Sequence, residues 1–322
     1  MLVPVLLFLV GLVLLIEGGN FFVDGSVGIA RRYHLSEILI GATIVSIGTT
    51  LPEVMVSSQA AFIGNSGISY GNAIGSIICN TSLIAALSAA IAPSAVDTAS
   101  LKWPTVIYFF AAIIYAMNAW IQGGFSRLDG IFFLLIFVVY MVLLVRQGLS
   151  HPEQTTDETV KEEQTKPMWQ DLVKLVAGAA AIAIGANLLV DNGTKIASAL
   201  GVPDSVIGLT FIALGTSLPE LVTAITSLAK GHSALSLGNI IGANIFNIVL
   251  VSGMAITISP FRVPTQKTIG SVNSSLVIDV PLTLIVMGIL TLPTLKSGKL
   301  KRWQGVTLLG IYAAFTLFQL FI

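Results

Sequence analysis

One six-residue motif, unusual among apolar neighbours, occurs twice in the chain, as GTTLPE at Gly48–Glu53 and as GTSLPE at Gly215–Glu220. Each copy places a glycine, two hydroxyls, a proline and a glutamate inside a strongly apolar stretch. Pro52 has no amide hydrogen and its ring clashes with the preceding turn, so the sequence predicts a loosened turn that exposes carbonyl groups. The motif collects carbonyl, hydroxyl and carboxylate oxygens, the donor set preferred by hard cations such as Na⁺ and Ca²⁺.

A second repeated motif, GNAIGSIICN from Gly71 and GNIIGANIFN from Gly238, adds amide groups. Its polar members recur every four residues and therefore share one face of a helix. They are Asn72, Ser76 and Asn80 in the first copy, and Asn239 and Asn247 in the second, where Ala243 takes the place of the serine. We interpret Ser76 and Asn80 as cation ligands and Asn72 as a hydrogen-bonding contact between helices.

The composition is that of an integral membrane protein. Hydrophobic residues make up 55% of the 322 and charged residues 10%, against roughly 25% charged in soluble domains. The net charge is zero, with 16 basic and 16 acidic residues, which gives no reason to expect nucleic acid as a partner. The single Cys79 excludes a disulfide within the chain.

Long apolar runs predict ten transmembrane helices, because a helix needs about 20 apolar residues to cross a bilayer. The runs are continuous rather than alternating, which favours an all-α membrane protein over a barrel. A polar stretch separates two sets of five spans. The predicted units are a first transmembrane repeat at 1–146, a cytoplasmic linker at 147–169 and a second transmembrane repeat at 170–322.

The two sets are copies of each other. With an offset of 167 residues, the 34 positions from Asn20 and from Asn187 align without a gap and share 13 identities. A repeat with five crossings enters the membrane from opposite sides in its two copies, so the halves are predicted to be inverted. Inverted repeats are typical of secondary transporters, whose substrate site lies at the repeat interface.

Lysine and arginine collect in cytoplasmic loops, which predicts an orientation. If the loop with Arg31 and Arg32 is cytoplasmic, 12 of the 16 basic residues lie inside. Both termini then face outward, and the plasma membrane is the expected location.

Glu53 and Glu220 lie at mid-membrane, where an ionisable residue costs at least about 2.5 kcal/mol. The sequence offers no lysine or arginine at a comparable depth. A bound divalent cation or protons must therefore balance their charge, and permanently protonated glutamates that bond between helices remain an alternative.

With both motif pairs, the chain resembles the sodium/calcium exchanger family within the cation/calcium antiporters, over nearly all of both halves. The resemblance implies an antiporter that exchanges Na⁺ for Ca²⁺ by alternating access, with these ions as substrates, no cofactor, and the bilayer as its surroundings. The cation cluster that it implies comprises the carbonyls of Ser46 and Ala213 and the side chains of Thr49, Thr50, Glu53, Ser76, Asn80, Thr216, Ser217, Glu220 and Asn247.

Two departures from the family pattern keep an alternative open. Relatives often carry serine at the position of Ala243 and an acid at that of Asn247. The missing hydroxyl weakens the sodium assignment, so a proton/calcium antiporter that uses the same glutamates is the nearest rival. The missing acid resembles the members that do not require potassium.

The sequence gives less support to two other functions, those of a channel and of a membrane enzyme. Inverted helices with breaks suit alternating access, and no segment resembles a selectivity filter. Gly67–Gly71 matches the GxSxG pattern of serine hydrolases, but it precedes a membrane helix and the three histidines fall in predicted loops. We therefore expect no enzymatic activity.

Overall fold

Helices make up almost all of the computed structural model, which describes residues 2–150, 167–200, 215–265, 268–269 and 272–321. Several of the helices continue through short π-helical turns, named π1 to π4 here. The first half contains α1 (Leu2–Arg32), α2 (Glu37–Ile40), π1 (Gly41–Val45), α3 (Ser46–Phe62), α4 (Ser66–Cys79), π2 (Asn80–Ala85), α5 (Ala86–Ile91), α6 (Thr98–Gln122) and α7 (Arg127–Ser150). The second half contains α8 (Met168–Ala199), α9 (Leu218–Ala229), α10 (Ser233–Phe246), π3 (Asn247–Val251), α11 (Ser252–Ile258), π4 (Ser275–Asp279), α12 (Val280–Ser297) and α13 (Arg302–Phe321).

The predicted all-α architecture is confirmed. Within the described ranges, eight helical segments are long and apolar enough to cross a membrane. The predicted seventh span is described only from Gly215, where α9 is a shorter apolar helix, and the predicted tenth corresponds to the 20-residue α13. The count of ten therefore stays a prediction. Helix α7 runs to Ser150 and α8 begins at Met168, so both enter the segment predicted as a linker, whose residues 151–166 lie outside the described part.

The prediction of a loosened turn at Pro52 is wrong for the first copy of the motif, because α3 passes through Pro52 without interruption. A proline removes one hydrogen bond, the one that its amide would donate to the carbonyl of Gly48, and a packed membrane helix tolerates that loss. The irregular turn lies earlier, in π1, just before Ser46. In the second copy, Thr216 and Ser217 form a turn and α9 begins at Leu218 with Pro219 in its first turn.

Tyr140 supports the irregular turn π1. The amide of Ser46 bonds to the carbonyls of Gly41 and Thr43, so the Ala42 carbonyl loses its normal helical donor. The hydroxyl of the buried Tyr140, on α7, donates to that carbonyl at 2.9 Å. This bond fixes the backbone that leads into the first motif.

Two further π-helical turns begin at repeat-related residues. π2 begins at Asn80 and π3 begins at Asn247, which are 167 positions apart. Single π turns inside α-helices occur frequently at functional sites. The second repeated motif thus ends, in both halves, where the helical hydrogen bonding changes.

Helices α1 and α8 pack against each other along most of their length. A methyl group added at Gly11 would lie 2.8 Å from the Gly185 carbonyl oxygen, and one added at Gly185 would lie 2.8 Å from the Gly11 carbonyl oxygen. Gly18 and Gly178 approach in the same way, seven residues along each helix. Glycine at these positions lets the two backbones touch.

Two short sheets connect the halves reciprocally. Strand β1 (Ser94–Ala95) pairs with β6 (Lys299–Leu300), and β2 (Gly124–Phe125) pairs with β3 (Phe261–Arg262). In each half, the strand after the third predicted span pairs with the strand before the fifth span of the other half. The two sheets lie at opposite ends of α6, whose 25 residues span about 37 Å at 1.5 Å per residue. A third sheet joins β4 (Thr268–Ile269) to β5 (Val272–Asn273).

The centre of the molecule is formed by α3, α4, α9 and α10, with π2 and π3. π2 packs against α9 and α10, and π3 packs against α3 and α4. Each half therefore contributes its two repeated motifs to one shared core.

We expect Gly18→Leu to destabilise the protein, because a Cβ there would lie 2.9 Å from the Ala181 Cβ and 3.1 Å from the Gly178 carbonyl oxygen. Overpacking of this kind costs about 1–3 kcal/mol, which thermal unfolding in detergent would detect. Gly310→Leu is the matched control, because nothing in the described structure lies within 4 Å of a Cβ there. Equal unfolding temperatures for the two variants would contradict the close packing.

We expect Tyr140→Phe to destabilise the fold by about 1–3 kcal/mol, because the Ala42 carbonyl would stay buried without a donor. The unfolding temperature measures the effect. Tyr33→Phe serves as control, since Tyr33 is exposed and its hydroxyl contacts the Met168 sulfur, at 3.3 Å, instead of a buried carbonyl group. A loss no larger than that of the control would show that Tyr140 does not support π1.

Candidate cation site

Two glutamates from the repeated motif meet at the centre of the molecule. Glu53 lies on α3 and Glu220 lies in the first turn of α9, and the side chains of both are completely buried. Their carboxyl groups lie close enough to interact electrostatically. Two buried carboxylates at short range repel each other unless a cation or a proton lies between them.

Neither carboxyl group is satisfied by the protein. All four carboxyl oxygens of Glu53 and Glu220 are buried and lack a hydrogen-bond donor in the described structure. Leaving one buried polar group unpaired costs about 1–3 kcal/mol, and more if the group is charged. These atoms are therefore arranged to receive a partner other than the protein's own side chains.

The hydroxyl groups of the first motif surround Glu220. Thr49 and Thr50, both buried on α3, face its carboxyl group. The Thr49 hydroxyl donates to the Asn239 side-chain oxygen at 3.1 Å, and the Thr50 hydroxyl has no partner among the described residues. A hydroxyl that donates its proton elsewhere keeps its lone pairs for a cation.

Ser46 connects the start of α3 to the other half. Its hydroxyl lies 2.8 Å from the Gly41 carbonyl oxygen and 2.9 Å from the Asn239 carbonyl oxygen. This contact holds the backbone of Ser46, whose carbonyl is the predicted ligand, against α10.

Asn80 and Asn247 offer amide groups from the first residues of π2 and π3. Both residues are completely buried. The oxygen and the nitrogen of each side-chain amide have no hydrogen-bond partner within the parts of the chain that are described. Because buried amides are almost always bonded, these two carbonyl oxygens are further free ligands in the same core.

For the remaining predicted ligands, the structure gives burial and position along the chain. Ser76 is buried on α4, one turn before Asn80, and Ser217 is buried beside the half-buried Thr216 in the turn before α9. Ala213, whose carbonyl was predicted as a ligand, lies outside the described residues.

The donor set consists of two carboxylates with amide, hydroxyl and carbonyl oxygens around them. No group of three or more histidine, cysteine, aspartate or glutamate side chains that could hold a metal occurs in the described ranges. Oxygen ligands of mixed charge suit the hard cations Na⁺ and Ca²⁺, and two carboxylates match the charge of one divalent ion.

Two asparagines support the site, and only the role of Asn72 was predicted. Asn239 accepts from Thr49 in the other half, and Asn72 donates to the Glu53 backbone oxygen at 3.1 Å and to the Ser57 hydroxyl at 2.8 Å. The interpretation of Asn72 as a contact between helices is thus correct. Asn239 was recognisable in sequence only as a member of the polar stripe.

A family model described as "Sodium/calcium exchanger protein" matches residues 3–146 and 171–321. Among curated relatives, a putative antiporter, CaxA, of Alkalimonas amylolytica is 38% identical over 94% of this chain and 93% of its own. The sodium/calcium exchanger MaX1 of Methanosarcina acetivorans is 31% identical over 96% of both chains.

The fold is also similar to solved structures. A structure of the sodium-calcium exchanger NCX_Mj, soaked with Na⁺ and Sr²⁺, matches with a TM-score of 0.81 and 35% identity over 97% of each chain. The matched family is one of ion transporters, and the apolar helices of this chain fit a multi-pass membrane antiporter. The chain belongs to the sodium/calcium exchanger family.

Proposed function

We propose that the protein exchanges Na⁺ for Ca²⁺ across the plasma membrane by alternating access. The observation that carries this proposal is the pair of buried glutamates, Glu53 and Glu220, whose carboxyl groups are near enough to interact and have no hydrogen-bond donor in the described structure. A Ca²⁺ ion between them would neutralise both charges. Na⁺ ions that occupy sites containing the same carboxylates would displace it, which makes occupancy by the two ions competitive.

The proposed ligands surround this pair. They are the carbonyls of Ser46 and Ala213 and the side chains of Thr49, Thr50, Glu53, Ser76, Asn80, Thr216, Ser217, Glu220 and Asn247. The burial of Thr50, Asn80 and Asn247 without partners among the described residues supports their part in the set. Two carboxylates balance one Ca²⁺, so a cycle that moves more than two Na⁺ carries net charge.

The halves act as two inverted repeats of five spans, 1–146 and 170–322, on either side of a cytoplasmic linker at 147–169. The reciprocal strand pairing supports this arrangement, because the repeat-related strands β1 and β3 lie at opposite ends of α6. Inversion lets the same motif approach one site from both sides of the membrane.

Helices α1 and α8 form the moving gate. Both are long and unbroken, at 31 and 32 residues, and they pack against each other more extensively than any other helix pair described. In contrast, the site helices are held together by cross-half hydrogen bonds such as that of Thr49 with Asn239. This difference favours sliding of the α1–α8 pair over the site.

The end of the molecule with Arg31, Arg32 and Lys230 faces the cytoplasm, and both termini face outward. Arg32 pairs with Asp171 at 3.3 Å, which ties the ends of α1 and α8 at this side. Basic residues at cytoplasmic helix ends follow the general rule for membrane proteins.

We expect Glu53→Gln and Glu220→Gln each to lower Na⁺-driven Ca²⁺ uptake into proteoliposomes at least 100-fold, because either change removes half of the charge that neutralises Ca²⁺. Ca²⁺ should also raise the unfolding temperature of the native protein and not that of the variants, since a ligand stabilises the state that binds it. Glu17→Gln, at an exposed acid in the middle of α1, is the matched control. Normal uptake in either site variant would defeat the proposal.

The driving ion distinguishes this function from proton/calcium exchange, which the buried Ala243 keeps as the second candidate because its methyl group offers no ligand for Na⁺. With the membrane potential clamped, we expect a Na⁺ gradient to drive Ca²⁺ uptake and a pH gradient to leave it near background. Uptake driven by the pH gradient alone would show that the protein is a proton/calcium antiporter instead.

A further inference from the structure

A row of buried hydroxyl groups follows Glu220 along α9. Thr223 and Ser227 come three and seven residues after Glu220, so the three side chains share one face of the helix. Both hydroxyl-bearing side chains are completely buried, and neither hydroxyl has a hydrogen-bond partner in the described structure. Helical threonine and serine normally satisfy themselves by bonding to the carbonyl one turn earlier, so two unsatisfied hydroxyls on one face need an explanation.

Ser236 on α10 borders a cavity that Leu228, the residue after Ser227, also lines. The Ser236 side chain is 1% exposed and its hydroxyl also lacks a partner among the described residues. The cavity is small, with room for about one water, and lies at the end of the molecule that carries Lys230, where α5, α9, α10 and β6 meet. Ser94 and Ser233 at the rim of this cavity are only half-buried, so the cavity reaches the surface.

The first half differs at the repeat-related positions. The residues 167 positions before Thr223 and Ser227 are Val56 and Ala60, which have no hydroxyl. Ser69, which corresponds to Ser236, donates to the Ser57 carbonyl oxygen at 2.8 Å. The hydroxyl of Ser69 is therefore satisfied in the first half, whereas that of Ser236 has no partner in the described part of the second half.

We propose that Thr223, Ser227 and Ser236 line a water-filled path along which cations pass between Glu220 and the cavity at the Lys230 end. The inference rests on the proposed function and adds to it the route by which the site is reached from one side. The row from Glu220 to Ser227 covers about 10 Å along the helix, which a short chain of waters bridges. Hydroxyl groups suit such a path, because they bond to water and also offer lone pairs to a passing cation.

Cysteine labelling tests whether the path is wet. In the full-length protein with Cys79, its only cysteine, replaced by serine, we expect Thr223→Cys and Ser227→Cys to react with a membrane-impermeant methanethiosulfonate from the Lys230 side. The reaction should be at least 10-fold faster than for Ile225→Cys, the control at the same depth of α9, whose side chain is exposed on the outer face of the helix. Ser233→Cys at the cavity rim reports whether the reagent reaches the cavity.

Two labelling outcomes would overturn the path. In one, Ser233→Cys reacts while Thr223→Cys and Ser227→Cys do not, which means that the row is dry. In the other, Ser233→Cys does not react from the Lys230 side, which means that the cavity is closed. Labelling does not require transport, so a chain that labels as expected but shows no Na⁺-driven Ca²⁺ uptake would reject the proposed function and keep the path.

The double variant Thr223→Val with Ser227→Ala, which installs the residues of the first half, separates a conducting path from unsatisfied core hydroxyls. We expect Ca²⁺ flux from the Lys230 side to fall at least 10-fold, with unchanged flux in the control Thr291→Val, whose buried hydroxyl bonds to the Met287 carbonyl oxygen at 2.6 Å. A higher unfolding temperature with unchanged flux would show that the hydroxyls were merely buried without partners.

Discussion

The structure depends on two carboxylates that are buried together where the halves of the chain meet. Glu53 and Glu220 carry oxygens that no described side chain satisfies, and burial of unpaired charge is among the most expensive events in folding. A site of this kind gains most from an ion that brings opposite charge, and it gives up that ion readily only if another cation or a proton replaces it. The cost of burying two carboxylates together therefore favours a site at which one bound cation is replaced by another.

The surrounding scaffold holds these groups by contacts between the two halves as well as by contacts within one half. Thr49 and Ser46 reach Asn239, while π2 packs on the second-half helices and π3 on the first-half helices. Carbonyl groups freed by the π turns need donors from elsewhere, as Ala42 does from Tyr140. These contacts keep the ligand-bearing helices together, and they leave α1 and α8 to pack mainly on each other.

The sequence was sufficient to predict the helical membrane fold, the duplicated motifs and the meeting of the two glutamates, because apolar run length and repeated polar residues are local signals. It did not predict the unbroken helix through Pro52, since neighbouring helices decide whether a proline bends or merely weakens a membrane helix. The π turns at Asn80 and Asn247 were not predicted either, because no residue type marks a shift of one backbone hydrogen bond. The contact of Thr49 with Asn239 depends on how two distant helices cross, which spacing along the chain does not fix.

The pairing of strands between the two halves has a consequence for how the protein is made. Strand β1 pairs with β6, which lies some 200 residues later in the chain, so its backbone groups have no strand partner until that later segment has been synthesised. Conversely, β3 finds β2 already in place. The β1–β6 sheet therefore forms after the β2–β3 sheet, and a chain that lacks α12, β6 and α13 would leave β1 unpaired while β2 and β3 still pair.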